Sequence, residues 1–253
     1  MYPQGVMTPV FKSTYSYGKS ILTLEDESKE FGSDSIIEMC IDNEINDVIL
    51  VEDNLTSFMK AFKVCLKHDL NLYYGLRLTF CNDMKEESKS SNHKNVIFAK
   101  NDEGCKLLNK IYSCAFTEGD GRIDYASFKE YWDETALSFV VPFYDSYIYE
   151  NNFRQKNCIP NLEGLKPTFW SEDNDLPFDH LLNAKLQEAT KRKQYKVAKV
   201  KTILYKDRKD VEALQTYKIL STRSFGKQSK LSNPNLSYFG SEEFCLESYL
   251  KQS

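Results

Sequence analysis

The stretch Asp47-Val48-Ile49-Leu50-Val51 decides the fold class. Four consecutive apolar residues behind a polar one predict a short strand that is buried on both faces. A helix is predicted directly after it, from Thr56 to Lys67, and a second strand follows from Leu72 to Phe80. Strand, helix and strand in this order indicate a mainly parallel sheet covered by helices, so the chain is predicted to be an α/β protein.

The same alternation continues on both sides of this unit. Further strands are predicted over residues 10–11, 96–99, 137–141 and 195–204. Further helices are predicted over residues 34–45, 102–116, 124–132, 178–193 and 207–220, the first behind Asp34-Ser35 and the third capped by Asp124. Irregular structure is predicted over residues 82–94, over residues 151–177 and after Ser224, with a turn at Asn233-Pro234-Asn235.

Parallel strands direct their functional loops to one edge, where their carboxyl ends meet. The predicted strand ends at that edge lie at residues 11–13, 51–54, 77–80, 100–101, 142–145 and 205–206. Among these strand ends, Glu52-Asp53 is the acidic pair that most strongly suggests a functional site. Because adjacent strand residues point to opposite faces, the pair either caps the next helix or places one carboxylate in a pocket.

Composition excludes several classes of protein. Of the 253 residues, 41% are hydrophobic and 28% are charged, which is typical of a globular chain. No apolar run approaches the roughly 18 residues of a membrane helix, and no secretory signal is visible, so the protein is predicted to be cytoplasmic. The seven cysteines form no C-x-x-C motif, which argues against a disulfide framework or a thiolate zinc site.

The charge of the chain is uneven. The net charge is −4, yet residues 185–230 contain fourteen lysine or arginine residues against four aspartate or glutamate residues. A local basic face of this kind can meet phosphates or an acidic partner, and the alternative is an ordinary solvated surface. The residues of this predicted basic face are Lys191, Arg192, Lys193, Lys196 and Lys199.

Several short segments, in a consistent order, carry a family resemblance. Phe11-Lys12-Ser13-Thr14-Tyr15-Ser16 is similar to H-S-x-Y-S, and the segment from Val48 to Leu55 stands where A-L-T-D-H-G-N-L would stand. Residues 95–104 resemble L-L-A-K-N-x-E-G, residues 122–124 match R-I-D, and residues 233–246 resemble N-x-L-x-F-x-x-x-E-F-Y-L. Together these segments resemble the polymerase and histidinol phosphatase (PHP) domain of the bacterial DNA polymerase III alpha subunit. The resemblance covers nearly the whole chain and implies a single PHP-like domain over residues 1–253, with a distorted seven-stranded (β/α) barrel fold.

The metal-ligand positions of the family are altered in this chain. Active members of the family hold metal ions with histidine, aspartate, glutamate and cysteine. The corresponding positions here hold Val10, Lys12, Arg77, Lys201 and Ile203, and the family's Asp-His pair falls on Val51-Glu52 without a gap or on Glu52-Asp53 with one. A charged lysine or arginine cannot ligate a cation, and an isoleucine offers no lone pair. We therefore expect no metal, no cofactor and no catalytic residue. The cationic residues are expected to pair with Glu52 and Asp53, or alternatively to bind an anion such as phosphate.

The resemblance predicts a non-catalytic module of a DNA replication machine. Its expected partner is a replicative DNA polymerase, its exonuclease or another replisome protein, and the basic face could also meet DNA. A stand-alone chain suggests part of a split polymerase or a decoy, as in a phage-like genome.

Two other functions stay open at this point. One is a metal-dependent phosphoesterase or exonuclease, with a ligand set of Glu52, Asp53 and Asp145 plus His93 or His180. The other is a binding protein unrelated to replication. Its interface would be an aromatic group that core packing explains equally well, namely Phe143, Tyr144, Tyr147, Tyr149 and Phe153.

Overall fold

Seven strands close into a barrel, with helices packed around it, in the computed structural model, which describes residues 7–30, 32–221 and 241–252. The strands are β1 (Thr8–Phe11), β2 (Asp47–Glu52), β3 (Asn71–Cys81), β4 (His93–Ala99), β5 (Arg122–Asp124), β6 (Leu137–Val141), β7 (Thr168–Ser171) and β8 (Lys196–Ile203). Their order is β2-β1-β8-β7-β6-β4-β3-β5, and pairing between β2 and β3 closes a barrel of seven strands. The eighth strand, β5, pairs with β3 at the edge of this ring. The predicted α/β fold with a seven-stranded barrel is therefore confirmed.

The helices lie on the outside of the barrel strands. They are α1 (Ile36–Asp42), α2 (Phe58–Lys67), α3 (Asp102–Thr117), α4 (Tyr125–Glu130), α5 (Tyr147–Phe153), α6 (Asp179–Lys191), α7 (Val211–Ser221) and α8 (Leu246–Gln252). Two of the predicted caps are confirmed. Ser35 accepts hydrogen bonds from two amides at the start of α1, and Asp124 accepts one from the Ser127 amide at the start of α4.

The apolar core has two layers. A small cluster fills the barrel interior, and larger clusters fill the space between strands and helices. Gly75 shows how narrow the interior is, because a β-carbon there would lie 2.7 Å from the Phe98 ring and 2.9 Å from Val96 Cγ1. Glycine at this position therefore makes room for the phenylalanine ring inside the barrel.

The aromatic group from residue 143 to residue 153 belongs to the outer core layer. Phe143, Tyr144 and Tyr149 are buried in the largest apolar cluster, and Tyr147 and Phe153 pack against it. Core packing rather than an exposed interface therefore accounts for these rings.

Strand β4 corrects one prediction about the functional edge. It pairs antiparallel with both β3 and β6, whereas every other strand pairing is parallel. Residues 100–101, which follow β4, therefore lie at the opposite end of the barrel from the other strand ends. The reversal brings Lys94, near the start of β4, to the functional edge instead.

Several elements lie where irregular structure was predicted. Strand β7 and the end of α5 fall inside residues 151–177, the first residues of β4 fall inside residues 82–94, and α8 falls after Ser224. Strand β5 was also not predicted. All of these pieces are short, so their hydrophobic pattern is weak and tertiary packing decides their structure. The predicted turn at Asn233-Pro234-Asn235 lies outside the described residues.

No helix in the described ranges combines the length and the apolar character needed to cross a membrane.

Candidate functional site at the barrel mouth

An ion-pair network lies at the barrel mouth, the end at which the parallel strands finish. Asp53 Oδ1 is 3.2 Å from Lys12 Nζ and 3.1 Å from Arg77 Nη1. The second guanidinium nitrogen of Arg77 contacts Asp145. Arg77 thus bridges two carboxylates, and its side chain is only 13% exposed. The arrangement is a charge network that neutralises itself without an added cation.

Strand alternation explains how these side chains meet. Val10 and Val51 belong to the interior cluster, so residues two positions further along β1 and β2 also point inward, one layer nearer the mouth. Those residues are Lys12 and Asp53. Asp145 follows β6 in a turn and has a positive φ of 58°, a conformation that aspartate tolerates better than most residues.

Burial and charge act in opposite directions on this network. Burial alone would raise the pKa of Asp53, but the charges of Lys12 and Arg77 outweigh it and hold this pKa well below its usual range. Burial lowers the pKa of Lys12, against the attraction of Asp53. Burial also lowers the pKa of Lys94 to about 8, and its ammonium group donates to Thr79 Oγ1 at 2.6 Å. The mouth therefore holds its charges in a partly dehydrated setting.

Glu52 lies beside the ion-pair network, but it accepts hydrogen bonds from serines instead of forming an ion pair. It is fully buried and accepts hydrogen bonds from the Ser13 amide at 2.9 Å, from Ser13 Oγ at 2.5 Å and from Ser16 Oγ. Burial raises its pKa, opposed by the charge of Lys12 and by these serine hydrogen bonds. Its carboxylate therefore holds the loop that follows β1. Neither acid caps α2, which begins after Ser57 without a side-chain cap.

The other two predicted site residues, Lys201 and Ile203, point out of the barrel rather than into the mouth. Thr202 faces the cavity, so its neighbours in β8 face the other way. Lys201 is fully buried and donates to the Asp173 carbonyl at 3.1 Å, and Ile203 packs in the outer core layer. The structure thus brings Lys12, Asp53 and Arg77 together, places Glu52 next to them, and leaves out Lys201 and Ile203.

A cavity of about 90 Å³ opens inside this mouth. Besides Lys12 and Arg77, its lining includes three charged residues that the sequence did not single out for the site, namely Lys19, Glu172 and Lys218. Glu172 directly follows β7, so a search of strand ends would have found it once β7 was known, whereas Lys19 lies eight residues beyond the end of β1. Lys218 lies on α7, and no pattern in the sequence connects that helix with the mouth.

The alternative set of metal ligands is not gathered in one place. His93 is buried, with Nδ1 donating to the Ser91 carbonyl at 2.9 Å and Nε2 accepting from the Tyr125 hydroxyl at 2.8 Å. His180 is exposed on α6. Across residues 7–30, 32–221 and 241–252, no group of three or more histidine, cysteine, aspartate or glutamate side chains is placed to hold a metal ion.

His93 predicts a pH dependence of stability. Burial lowers its pKa to about 4 from an ordinary value of 6.5. The unfolded chain therefore binds the proton first, and stability falls as the pH drops from about 6.5 toward 4. We expect this group to lower the free energy of unfolding by about 2 kcal/mol between pH 7.5 and pH 5.

Urea unfolding of the wild type and of His93→Gln at these two pH values measures the effect. The wild type should lose more stability than the variant on acidification, since glutamine does not titrate. Equal losses in both proteins would contradict a buried neutral histidine.

The predicted basic face lies at the other end of the barrel. Lys191 ends α6, Lys196 begins β8, and both are exposed, as are Arg192, Lys193 and Lys199. Because β8 runs toward the mouth, its first residues lie at the far end. The chain therefore presents two separate features, a cavity at the mouth and a cationic surface opposite it.

Comparisons with known proteins assign no family to this barrel. No family model matches the chain, and no curated protein matches it. The PHP resemblance therefore remains a prediction, and the function has to be inferred from the residues at the mouth and on the basic face.

Proposed function

We propose that this chain is a PHP-like barrel in which ion pairs stand in place of metal ions, and that it acts as a non-catalytic binding module of a DNA replication machine. The observation that carries the proposal is the bridge from Lys12 and Arg77 to Asp53 and Asp145. By the resemblance, positions 12 and 77 correspond to metal-ligand positions, and so does position 53 in the alignment that places a gap before it. Charged lysine and arginine repel a cation at that place.

The partner in this proposal is a replicative DNA polymerase or its exonuclease. Two features support the proposal. The closed barrel agrees with the fold that the resemblance implies. The basic face supplies five exposed cations at the end away from the mouth, where an acidic partner or the DNA of a replication complex could be contacted.

The test is complex formation between purified components. The full chain is mixed with the replicative polymerase and with the proofreading exonuclease of its source cell, and gel filtration is run at low and at moderate salt. We expect co-elution with one of them, since a functional module of the machine must bind a stable component of it. A matched variant with all five basic-face residues changed to glutamine should weaken any contact with DNA and lower its salt dependence.

Absence of a complex with either protein would contradict the proposal. The competing phosphoesterase is examined in parallel, by adding Mn²⁺ and measuring hydrolysis of a phosphodiester and of single-stranded DNA. Metal-dependent hydrolysis that disappears in Glu52→Ala, with folding intact by circular dichroism, would replace the proposal by an enzyme with an unusual ligand set.

A further inference from the structure

The cavity at the barrel mouth combines two kinds of wall. Its inner part is apolar, because Val10, Val51, Val96 and Trp170 belong to the cluster that fills the barrel. The remaining lining carries four cationic side chains, namely Lys12, Lys19, Arg77 and Lys218. An apolar cavity with a few convergent charged groups is the usual form of a small-molecule site.

The charge balance of the cavity is positive by one. Glu172 is the carboxylate in the lining, and Asp53 and Asp145, which are not lining residues, pair with Lys12 and Arg77. The four cations of the lining are therefore set against three carboxylates, and the adjoining Lys94 and Glu52 add one formal charge of each sign. Burial raises the pKa of Glu172, against the hydrogen bonds that Asn174 and Thr202 donate to it.

The carboxylate of Glu172 already has hydrogen-bond donors within the protein. It accepts hydrogen bonds from Asn174 Nδ2 at 3.0 Å, from the Thr202 amide at 3.1 Å and from Thr202 Oγ1 at 2.9 Å. These neutral donors come from the loop after β7 and from β8. Glu172 is thus fixed in the wall by neutral donors, and four cationic side chains share the lining with it.

Lys19 and Lys218 line the same cavity and carry like charges. Burial lowers the pKa of Lys218 to about 8, the charge of Lys19 lowers it as well, and the charge of Asp145 acts in the opposite direction. Lys19 is exposed, whereas Lys218 is half-buried. An anion placed between these two ammonium groups would relieve their repulsion and make a charge-assisted hydrogen bond with each.

We propose that the barrel mouth binds a small organic acid with one carboxylate and an apolar body. The carboxylate lies against Lys19 and Lys218, and the apolar body lies on the valine and tryptophan wall. A phosphate dianion fits less well, since it would reverse the charge balance and would place polar oxygens against an apolar wall. The site is independent of the proposed role in replication, and its test needs no partner protein.

Isothermal titration calorimetry of the full chain with benzoate tests the site. Benzoate is expected to bind with a dissociation constant in the millimolar range or below. Benzyl alcohol, which lacks the charge, and acetate, which lacks the apolar body, should each bind at least about ten-fold more weakly, as should inorganic phosphate. Equal binding of phosphate and benzoate would overturn the proposal, as would no benzoate binding at millimolar concentration.

Two lysine variants locate the site. Lys218→Met and the more exposed Lys19→Met should each weaken benzoate binding by about ten-fold, which is one charge-assisted hydrogen bond. Lys209→Met is the matched control, because Lys209 is 79% exposed and pairs with Asp207 away from the cavity. Unchanged benzoate affinity in both test variants, with melting temperatures close to that of the wild type, would show that benzoate binds elsewhere and would contradict the proposed site.

Discussion

Replacement of Arg77 by methionine is expected to lower the free energy of unfolding by about 3 kcal/mol. Arg77 bridges Asp53 and Asp145, and all three side chains are mostly buried, with exposures of 13%, 27% and 19%. In the methionine variant the two carboxylates remain near each other. Only the neighbouring lysines then compensate their negative charge. Breaking a buried charge pair from one side has a far larger effect than removing an exposed pair. Urea unfolding at neutral pH measures the change.

Two further variants separate charge from packing at this position. Lys251→Met removes an exposed pair with Glu247 on α8 and should change stability by less than about 0.5 kcal/mol. The double variant Asp53→Asn with Arg77→Met should recover part of the loss, because a neutral amide needs no counter-charge. A single Arg77→Met variant as stable as the wild type would mean that the network does not hold the mouth together.

Replacement of Glu52 by alanine is expected to lower the free energy of unfolding by about 3 kcal/mol. Three donors from Ser13 and Ser16 then lose their acceptor, and a buried donor without a partner costs about 1–3 kcal/mol. Ser16 Oγ also accepts from the Asp53 amide at 2.9 Å, so loss of its other partner would loosen the segment that follows β2. Thermal and urea unfolding give the size of the effect.

A conservative variant shows which property of Glu52 matters. Glu52→Gln keeps one acceptor oxygen and avoids a buried charge, so it should lose less than half as much stability as Glu52→Ala. Glu188→Ala is the exposed control, since its partner Lys185 is half exposed and the pair contributes little. Equal losses for the glutamine and alanine variants would indicate that the negative charge, rather than hydrogen bonding to the serines, is what the fold requires.

The longest elements of the fold could be predicted because their patterns are strong. Residues 47–51 and 72–80 have the apolar character of buried strands, and α3 has apolar positions spaced for one helix face. The pattern missed β7, the strand that completes the barrel between β6 and β8, because it has four residues and only two of them are buried. It also missed the direction of β4, since a strand shows the same alternation whichever way it runs.

The candidate site could be predicted only in part. The residues at positions 12, 53 and 77 do converge, because each follows an inward-facing residue on its strand by two positions. Lys201 was expected with them, yet it is one position out of phase with Thr202 and points out of the barrel. A shift of one residue changes the face of a strand, and register is set by pairing with β1 and β7 rather than by β8 alone.

The sequence by itself determined the class of this protein, because the alternation of buried strands and amphipathic helices predicts an α/β fold with a mainly parallel sheet. Only the tertiary structure decided which charges meet, that Arg77 bridges Asp53 and Asp145, and that Lys218 reaches the mouth from α7. The physical reason is the separation of the interacting residues along the chain. Local patterns are set by neighbours along the chain, whereas a charged cavity is assembled from segments about two hundred residues apart, whose meeting depends on strand register and closure.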